Sequence, residues 1–256
     1  MAGMTYIDMS RFTSNPAGFY ATNNQFQKSG PKGFMEVKAL ESGDLYVRVD
    51  LPGVPDDAIR YRVDAVRQKV VFFSGETLSD GNYVNNGVRE YSGTTGLGCD
   101  CCEITGVDAK MKDGVLRMIV SKVKVKDHEN KCDLTLPPPL TGKSGRIVED
   151  HPFVVRGRKG AIFAEPKDDG GLYIAVDLPG ASEGDAVLIP QEYQVEFRGE
   201  GKNVSEHDES GRLYVGRFGN TPEFAPSLLR HTVSGSIEFG VLKIHLNPPP
   251  SRNNEE

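Results

Sequence analysis

Leu45-Tyr46-Val47-Arg48-Val49-Asp50-Leu51-Pro52-Gly53 decides the architecture, because nearly the same nine residues return as Leu172-Tyr173-Ile174-Ala175-Val176-Asp177-Leu178-Pro179-Gly180, 127 positions further on. A second mark keeps step with the first: Gly114-Val115-Leu116 recurs as Gly240-Val241-Leu242 at a separation of 126. Between them Val71, Phe73, Gly75 and Glu76 match Val195, Phe197, Gly199 and Glu200 at a separation of 124. Marks held in register over most of a domain's length indicate that a whole domain has been copied, whereas a solenoid would show a short fixed period. Small differences in loop length account for the drift.

Within the opening motif Leu45, Val47, Val49 and Leu51 alternate with Tyr46, Arg48 and Asp50, and Leu172, Ile174, Val176 and Leu178 with Tyr173, Ala175 and Asp177. Period two with one apolar face predicts a half-buried strand. Pro52-Gly53 and Pro179-Gly180 end it, since proline removes a ladder donor and glycine accepts a positive φ. Further alternating runs are Ile59/Tyr61/Val63, Val71/Phe73 and Leu116/Met118/Val120, then Tyr193/Val195/Phe197 and Leu242/Ile244/Leu246. Long amphipathic helical patterns are missing. Short strands between Gly, Pro, Asp and Asn turns predict an all-β chain of two tandem antiparallel β-sandwiches. The expected domains span residues 33–125 and 159–249. Residues 1–32 are rich in Asn, Ser, Gly and Gln and read as a disordered N-terminal arm. Residues 126–158, with Pro137-Pro138-Pro139, read as a Pro-rich linker, and residues 250–256 as a tail. Loops at about 77–93 and 201–211 are candidate exchange loops, through which the sandwiches could pair within one chain or between chains.

The net charge of −6 gives bulk electrostatics no attraction for nucleic acid. The basic runs at 122–126 and 156–159 are too short to reverse that, and read as solvated linker edges. No apolar run approaches the length of a bilayer span, and the amino terminus lacks a basic segment followed by an apolar stretch. Cys99, Cys101, Cys102 and Cys132 all fall in the first half, so they do not form the symmetric framework of two disulfide-stapled repeats. Reduced thiols in a cytoplasmic or nuclear compartment are expected.

The ordered set of motifs resembles the α-crystallin domain of small heat shock proteins. It comprises Asp50-Leu51-Pro52-Gly53-Val54, Ser74-Gly75-Glu76 and Asp113-Gly114-Val115-Leu116 in the first copy. The second copy carries Asp177-Leu178-Pro179-Gly180, Arg198-Gly199-Glu200 and Gly240-Val241-Leu242. The resemblance covers about two thirds of the chain, and two such domains in one chain are similar to divergent plant members. It implies immunoglobulin-like sandwiches and an ATP-independent holdase whose sheet edges and apolar grooves bind non-native polypeptides, without catalysis or cofactor. Partners would be unfolded proteins, specific proteins or other α-crystallin proteins, and the chain could form an intramolecular domain pair or a homo-oligomer. The alternative is a non-catalytic protein-protein interaction scaffold in a cytosolic or nuclear complex. The chain departs from the family pattern of an Arg-rich strand and a Leu-Pro before the Gly-Val-Leu turn: the first copy has Gly96-Leu97-Gly98-Cys99 in that region, and the second keeps only Arg217-Phe218. The tail from Pro248 lacks the aliphatic-x-aliphatic pair by which family members dock, and Leu134-x-Leu136 in the linker is the candidate substitute. Phe12, Phe19 and Phe26 in the arm are candidate partner contacts.

Chemistry-bearing clusters carry little. Cys99, Cys101, Cys102, His128 and Cys132 include zinc-ligand types, but not the paired-knuckle spacing of a strong zinc signal; thiols in a loop are expected. Gly142-Lys143-Ser144 lacks the first glycine of a phosphate loop, since Pro137 stands there. The histidines, His151 and His207 among them, are dispersed in polar contexts with no nucleophile signature. Asp168-Asp169 and the acidic run at 206–209 read as hydrated turns.

Overall fold

The computed structural model describes residues 6–8, 24–29, 33–79, 87–97, 101–127, 151–202, 207, 209, 211–219 and 231–249. Among them are seventeen strands and no α-helix, in four sheets that form two sandwiches. In the first, β3 (Met35–Ala39), β4 (Leu45–Asp50), β9 (Val115–Lys124) and β8 (Cys102–Lys112) lie side by side in that order. They face β10 (Val154–Arg156), β7 (Glu90–Gly96), β6 (Val70–Glu76) and β5 (Arg60–Asp64). The second sandwich repeats this with β11 (Ile162–Pro166), β12 (Leu172–Asp177), β17 (Val241–Asn247) and β16 (Thr232–Glu238). These face β13 (Ala186–Pro190), β14 (Gln194–Gly201) and β15 (Arg212–Gly219).

The alternating apolar residues fill the cores as the period requires. Leu45, Val47, Val49, Leu51, Val71, Phe73, Leu116, Met118 and Val120 make one cluster, and Ile174, Val176, Leu178, Val195, Phe197, Leu242, Ile244 and Leu246 make the other. The opposite face of β4 departs from expectation. Tyr46, Arg48 and Asp50 are as buried as their apolar neighbours, and Tyr173, Ala175 and Asp177 match them on β12. These strands are buried on both faces because parts of each sandwich cover the other. On β5 the reverse holds: Tyr61 and Val63 point to solvent.

A reciprocal exchange of edge strands supplies part of the cover. β2 (Gln27–Ser29), upstream of the first sandwich, pairs with β15 of the second, while β10, upstream of the second, pairs with β7 of the first. The N–H of Val215 donates to Phe26 O at 2.9 Å, and that of Ser92 to Phe153 O at 2.8 Å. Phe26 packs edge-on against Phe197, and Phe153 against Phe73, each with ring centroids 5.2 Å apart. A Cβ on Gly216 would stand 2.4 Å from Phe197 and 2.7 Å from Phe26, and one on Gly93 at the same two distances from Phe73 and Phe153. Glycine at these two positions is what lets the exchanged phenylalanine lie down on the strand.

Two expected boundaries are corrected by this arrangement. The stretch 24–29, assigned to a disordered arm over 1–32, is part of the second sandwich, and β1 (Tyr6–Asp8) runs parallel to the same edge of β15. The linker assigned to 126–158 ends earlier, since residues 151–156 belong to the first sandwich. A segment with few apolar residues can still order when its backbone completes a ladder and one phenylalanine enters a waiting core.

Candidate functional site

The densest polar constellation lies between the sandwiches. Two tight turns meet there: the β8–β9 hairpin turns at Asp113-Gly114, and the β16–β17 hairpin at Phe239-Gly240, with positive φ at all four residues. Paired positive φ is the two-residue hairpin geometry whose twist matches the flanking strands. Gly53 N–H donates to Phe239 O and Gly180 N–H to Asp113 O, each at 2.8 Å, so the Leu-Pro-Gly turn of each sandwich grips the hairpin of the other. A Cβ on Gly114 would lie 2.4 Å from Phe239 O, and one on Gly240 2.5 Å from Asp113 O.

Ion pairs flank these turns. Arg89, from the first sandwich, donates through both terminal nitrogens to the Asp177 carboxylate at 2.8 and 3.0 Å, and Arg158 adds a third bond at 3.0 Å. Burial works to raise the Asp177 pKa, but Arg158 and Arg89 outweigh it and hold the carboxyl below its usual range. On the other side Arg48 donates to Asp50 at 3.1 Å, and Arg212 of the second sandwich stands 3.8 Å from the same carboxylate. Burial pushes Asp50 up to about 6, against the pull of Arg48. Glu209 is fully buried and accepts bonds from Tyr46, Arg48 and Arg117, all of the first sandwich. Burial opposes its charge, yet these donors hold its pKa below the carboxylate norm. Removing one partner of such a group leaves a stranded charge, so the cluster fixes how the two sandwiches dock. Tyr91 donates to Pro52 O at 2.8 Å and Tyr214 to Pro179 O at 2.9 Å, locking each Leu-Pro-Gly turn to the facing sheet of its own sandwich.

His151 and Asn24 occupy corresponding places, 127 residues apart. His151 Nε2 meets Asp50 O at 2.7 Å, and its Nδ1 takes the N–H of Phe153 at 3.3 Å. Asn24 bonds to Asp177 O and accepts from Phe26 N–H at 2.9 Å. A carbonyl on one nitrogen and an N–H on the other assign the neutral Nε2–H tautomer. Burial, then Arg89, pushes the His151 pKa down to about 3.

A family model described as "Predicted plant small heat shock protein" matches residues 6–249, which spans both sandwiches and the strands they exchange. The chain belongs to the small heat shock protein family. A protein of Arabidopsis thaliana named as a 57 kDa heat shock protein is 42% identical over 109 residues, 42% of this chain and 20% of that one. The 14.7 kDa heat shock protein of the same plant is 34% identical over 104 residues, 41% of this chain and 76% of that one. Its mitochondrial 23.6 kDa heat shock protein is 25% identical over 125 residues, covering 48% and 57%. This small heat shock protein thus spans a fifth of the first relative and about three quarters of the second.

The family-motif residues converge on the interdomain turns. Leu51, Leu116, Leu178 and Leu242 sit in the cores, with Val115 and Val241 buried beside the hairpins. Pro52 and Pro179 lend their carbonyls to the tyrosines, and Gly53, Gly114, Gly180 and Gly240 make the crossed contacts. Phe26, expected as an exposed docking aromatic, is instead fully buried against Phe197; Phe12, Phe19, Leu134 and Leu136 lie outside the described residues. Cys101 and Cys102 are buried with sulfurs 3.7 Å apart, while Cys99, His128 and Cys132 lie outside the described residues. Glu209 and Arg158, read as solvated charges, are corrected to ion-pair members, Glu209 fully buried and Arg158 partly so, whereas Asp168 and Asp169 are exposed.

The pair that sequence reasoning missed is Arg89 with Arg212. Each opens the pattern Arg-x-Tyr-x-Gly-x-x-Gly, at Arg89 to Gly96 and Arg212 to Gly219, separated by 123 residues. This repeat, and not Gly96 to Cys99, places the arginines in the fold. It was available in the sequence, masked by a loop-length shift of four relative to the opening motif.

Proposed function

We propose that the chain is an ATP-independent holdase that binds non-native polypeptides along its free sheet edges. The observation that carries this reading is the contrast between edges. β2, β1 and β10 cover β15 and part of β7, whereas among the described residues β3, β5 and β8 of the first sandwich and β11, β13 and β16 of the second have a strand neighbour on one side only. Tyr61, Val63 and Val187 are exposed on β5 and β13. An edge of unpaired N–H and C=O groups beside apolar side chains suits an extended, partly unfolded chain. Family membership supports the same role. Clients would be unfolded proteins or other α-crystallin proteins, and the buried free thiols Cys101 and Cys102 support a reducing cytosolic or nuclear site of action.

The test is light scattering of a heated model client without nucleotide. Suppression is expected, and it should weaken when Tyr61→Lys and Val63→Lys place charge on the β5 edge. Unchanged aggregation at stoichiometric excess of the chain would defeat the reading.

A second reading, a non-catalytic scaffold joining specific partners, draws on the interdomain ion pairs. Arg89–Asp177 and Arg48–Glu209 hold two sandwiches in one fixed relation, as a template for a defined partner would require. Recovery of one stoichiometric partner from cells, with no suppression of aggregation, would favour it.

A further inference from the structure

Cys101 and Cys102 are both buried in the first core, in the cluster that includes Leu97 and Ile104, with their sulfurs 3.7 Å apart. Successive residues of a strand send their side chains to opposite faces, so two neighbours that share one core need a break in the strand. The chain bends at Cys101, and β8 begins at Cys102, opposite Lys124 at the far end of the β8–β9 ladder. The bend turns both thiols inward and into contact.

Packing alone does not call for sulfur here. Thr105 is the extra residue of a bulge, since Ile104 lies opposite Lys122 and Gly106 opposite Ser121. Upstream of the bulge the repeat offset is therefore one greater than the 126 of the hairpin turns, and at 127 the second copy carries Leu228-Leu229 where the first carries Cys101-Cys102. Cysteine packs as a small hydrophobe, and what two adjacent ones add over leucines is reactivity.

We propose that Cys101 and Cys102 are a reversible oxidation site, closing to a disulfide between neighbouring residues when hydrogen peroxide reaches them. One sulfur attacks the peroxide: an S–O bond forms, the O–O bond breaks, and one water leaves. The second sulfur then attacks the sulfenic sulfur, forming the S–S bond and expelling a second water. Two electrons and two protons pass from the thiols to one peroxide, which becomes two waters. Burial selects this product. Glutathione or the thiol of another chain is too large to reach sulfurs held in the core, whereas each sulfur already touches the other. Peroxide is nearly as small as water and enters where the ladder frays, at its Cys102–Lys124 end.

Neighbours joined by a trans peptide hold their Cα atoms about 3.8 Å apart, below the usual disulfide span of about 4.4–6.8 Å, so the bond is strained and readily reduced. Closing it turns the peptide between the two residues. That peptide carries Cys101 O, which accepts the N–H of Val125 at 2.8 Å and of Lys126 at 3.3 Å. Oxidation therefore releases the residues that follow β9 and loosens the start of β8.

Peptide mapping of the full chain after peroxide treatment tests this. Cleavage ahead of Asp100 and Asp108 frees residues 100–107, which hold these two cysteines and no other. After alkylation in denaturant that peptide should be unlinked, unalkylated and lighter by two hydrogens, and dithiothreitol given before alkylation should restore both thiols. Exchange of the Val125 amide hydrogen should quicken about tenfold in the oxidised chain, the change that one lost hydrogen bond produces. A peptide that gains oxygen, that is cross-linked to Cys99, to Cys132 or to a second chain, or that alkylates as before would overturn the proposal. Unchanged exchange at Val125 in the oxidised chain would overturn it equally.

Discussion

Replacing His151 by asparagine should remove from wild type a stability loss of about 2 kcal/mol between pH 7 and pH 5, so that the two proteins differ by that amount in their response to acid. The folded protein holds His151 at about 3, with the ring bonded to the carbonyl of Asp50, 101 residues away in sequence, and sealed among Phe34, Tyr91 and Phe153 at centroid distances of 4.3, 5.1 and 5.9 Å. In the unfolded chain it titrates at about 6.5. A histidine whose folded pKa is lowered contributes stability that is complete above 6.5 and is lost as pH falls towards 3. Each pH unit below 6.5 costs about 1.4 kcal/mol, so about 2 kcal/mol is lost at pH 5. Protonation would also set Nδ1–H against the N–H of Phe153, turning a bond of 3.3 Å into a donor–donor contact. Asparagine is the informative substitute because Asn24 already makes both bonds in the other repeat. The lost ring contacts should lower stability by about 1 kcal/mol at every pH. Asp177 and Glu209, whose pKa values are depressed, lose their contribution at lower pH, while Asp50, raised to about 6, changes in the opposite sense; all three act in both proteins. Urea unfolding of wild type and His151→Asn at pH 7.5, 6 and 5 gives the comparison. Parallel losses in the two proteins would refute the argument that the neutral ring is what the site requires.

Two other substitutions probe the contacts between the sandwiches. Gly114→Ala places a methyl 2.4 Å from Phe239 O at a residue with φ of 71°, so backbone strain and a broken turn-to-turn contact should lower stability by about 2–4 kcal/mol, read by thermal or urea unfolding; a change below about 1 kcal/mol would mean the turns do not meet. Phe26→Ala empties a fully buried site beside Phe197 and Gly216 and should cost about 3–5 kcal/mol, although the residue lies outside both repeated motifs. A neutral result in the same assay would detach the N-terminal segment from the second sandwich.

Alternation in the sequence was sufficient for the sandwiches and insufficient for what lies between them, and the reason is physical. Period two reports that the faces of a strand differ; it does not report that the polar face is wet. Arg48 and Asp50 look the same in sequence whether they meet water or the Glu209 and Arg212 of another domain. Glu209 was illegible for a related reason: an acidic loop residue is buried only when several donors converge on it, and Tyr46, Arg48 and Arg117 lie 163, 161 and 92 residues away. The upstream strands were partly legible. Phe26 and Phe153, Gly30 and Gly157, and Gly33 and Gly160 all keep the offset of 127, so the repeat begins well before the first strong motif. What that offset leaves open is which sandwich each upstream strand joins, because a segment able to complete its own ladder is equally able to complete its twin's.

Exchange has a consequence for how the chain behaves as a unit. β15 lacks its outer neighbours until the residues ahead of the first sandwich arrive, and β7 lacks β10 until the residues ahead of the second arrive. Each sandwich therefore needs a piece of sequence attached to the other, and the buried Arg89–Asp177 and Arg48–Glu209 pairs are complete only when both are in place. Unfolding of one sandwich strips an edge and a set of counter-charges from its neighbour, which makes a single cooperative transition the expectation for the intact chain. The same arrangement partitions the edges. That of β15 and part of that of β7 are engaged in holding the pair together, so among the described strands any binding of other polypeptides by backbone pairing falls chiefly to β3, β5, β8, β11, β13 and β16, with Tyr61, Val63 and Val187 exposed on β5 and β13.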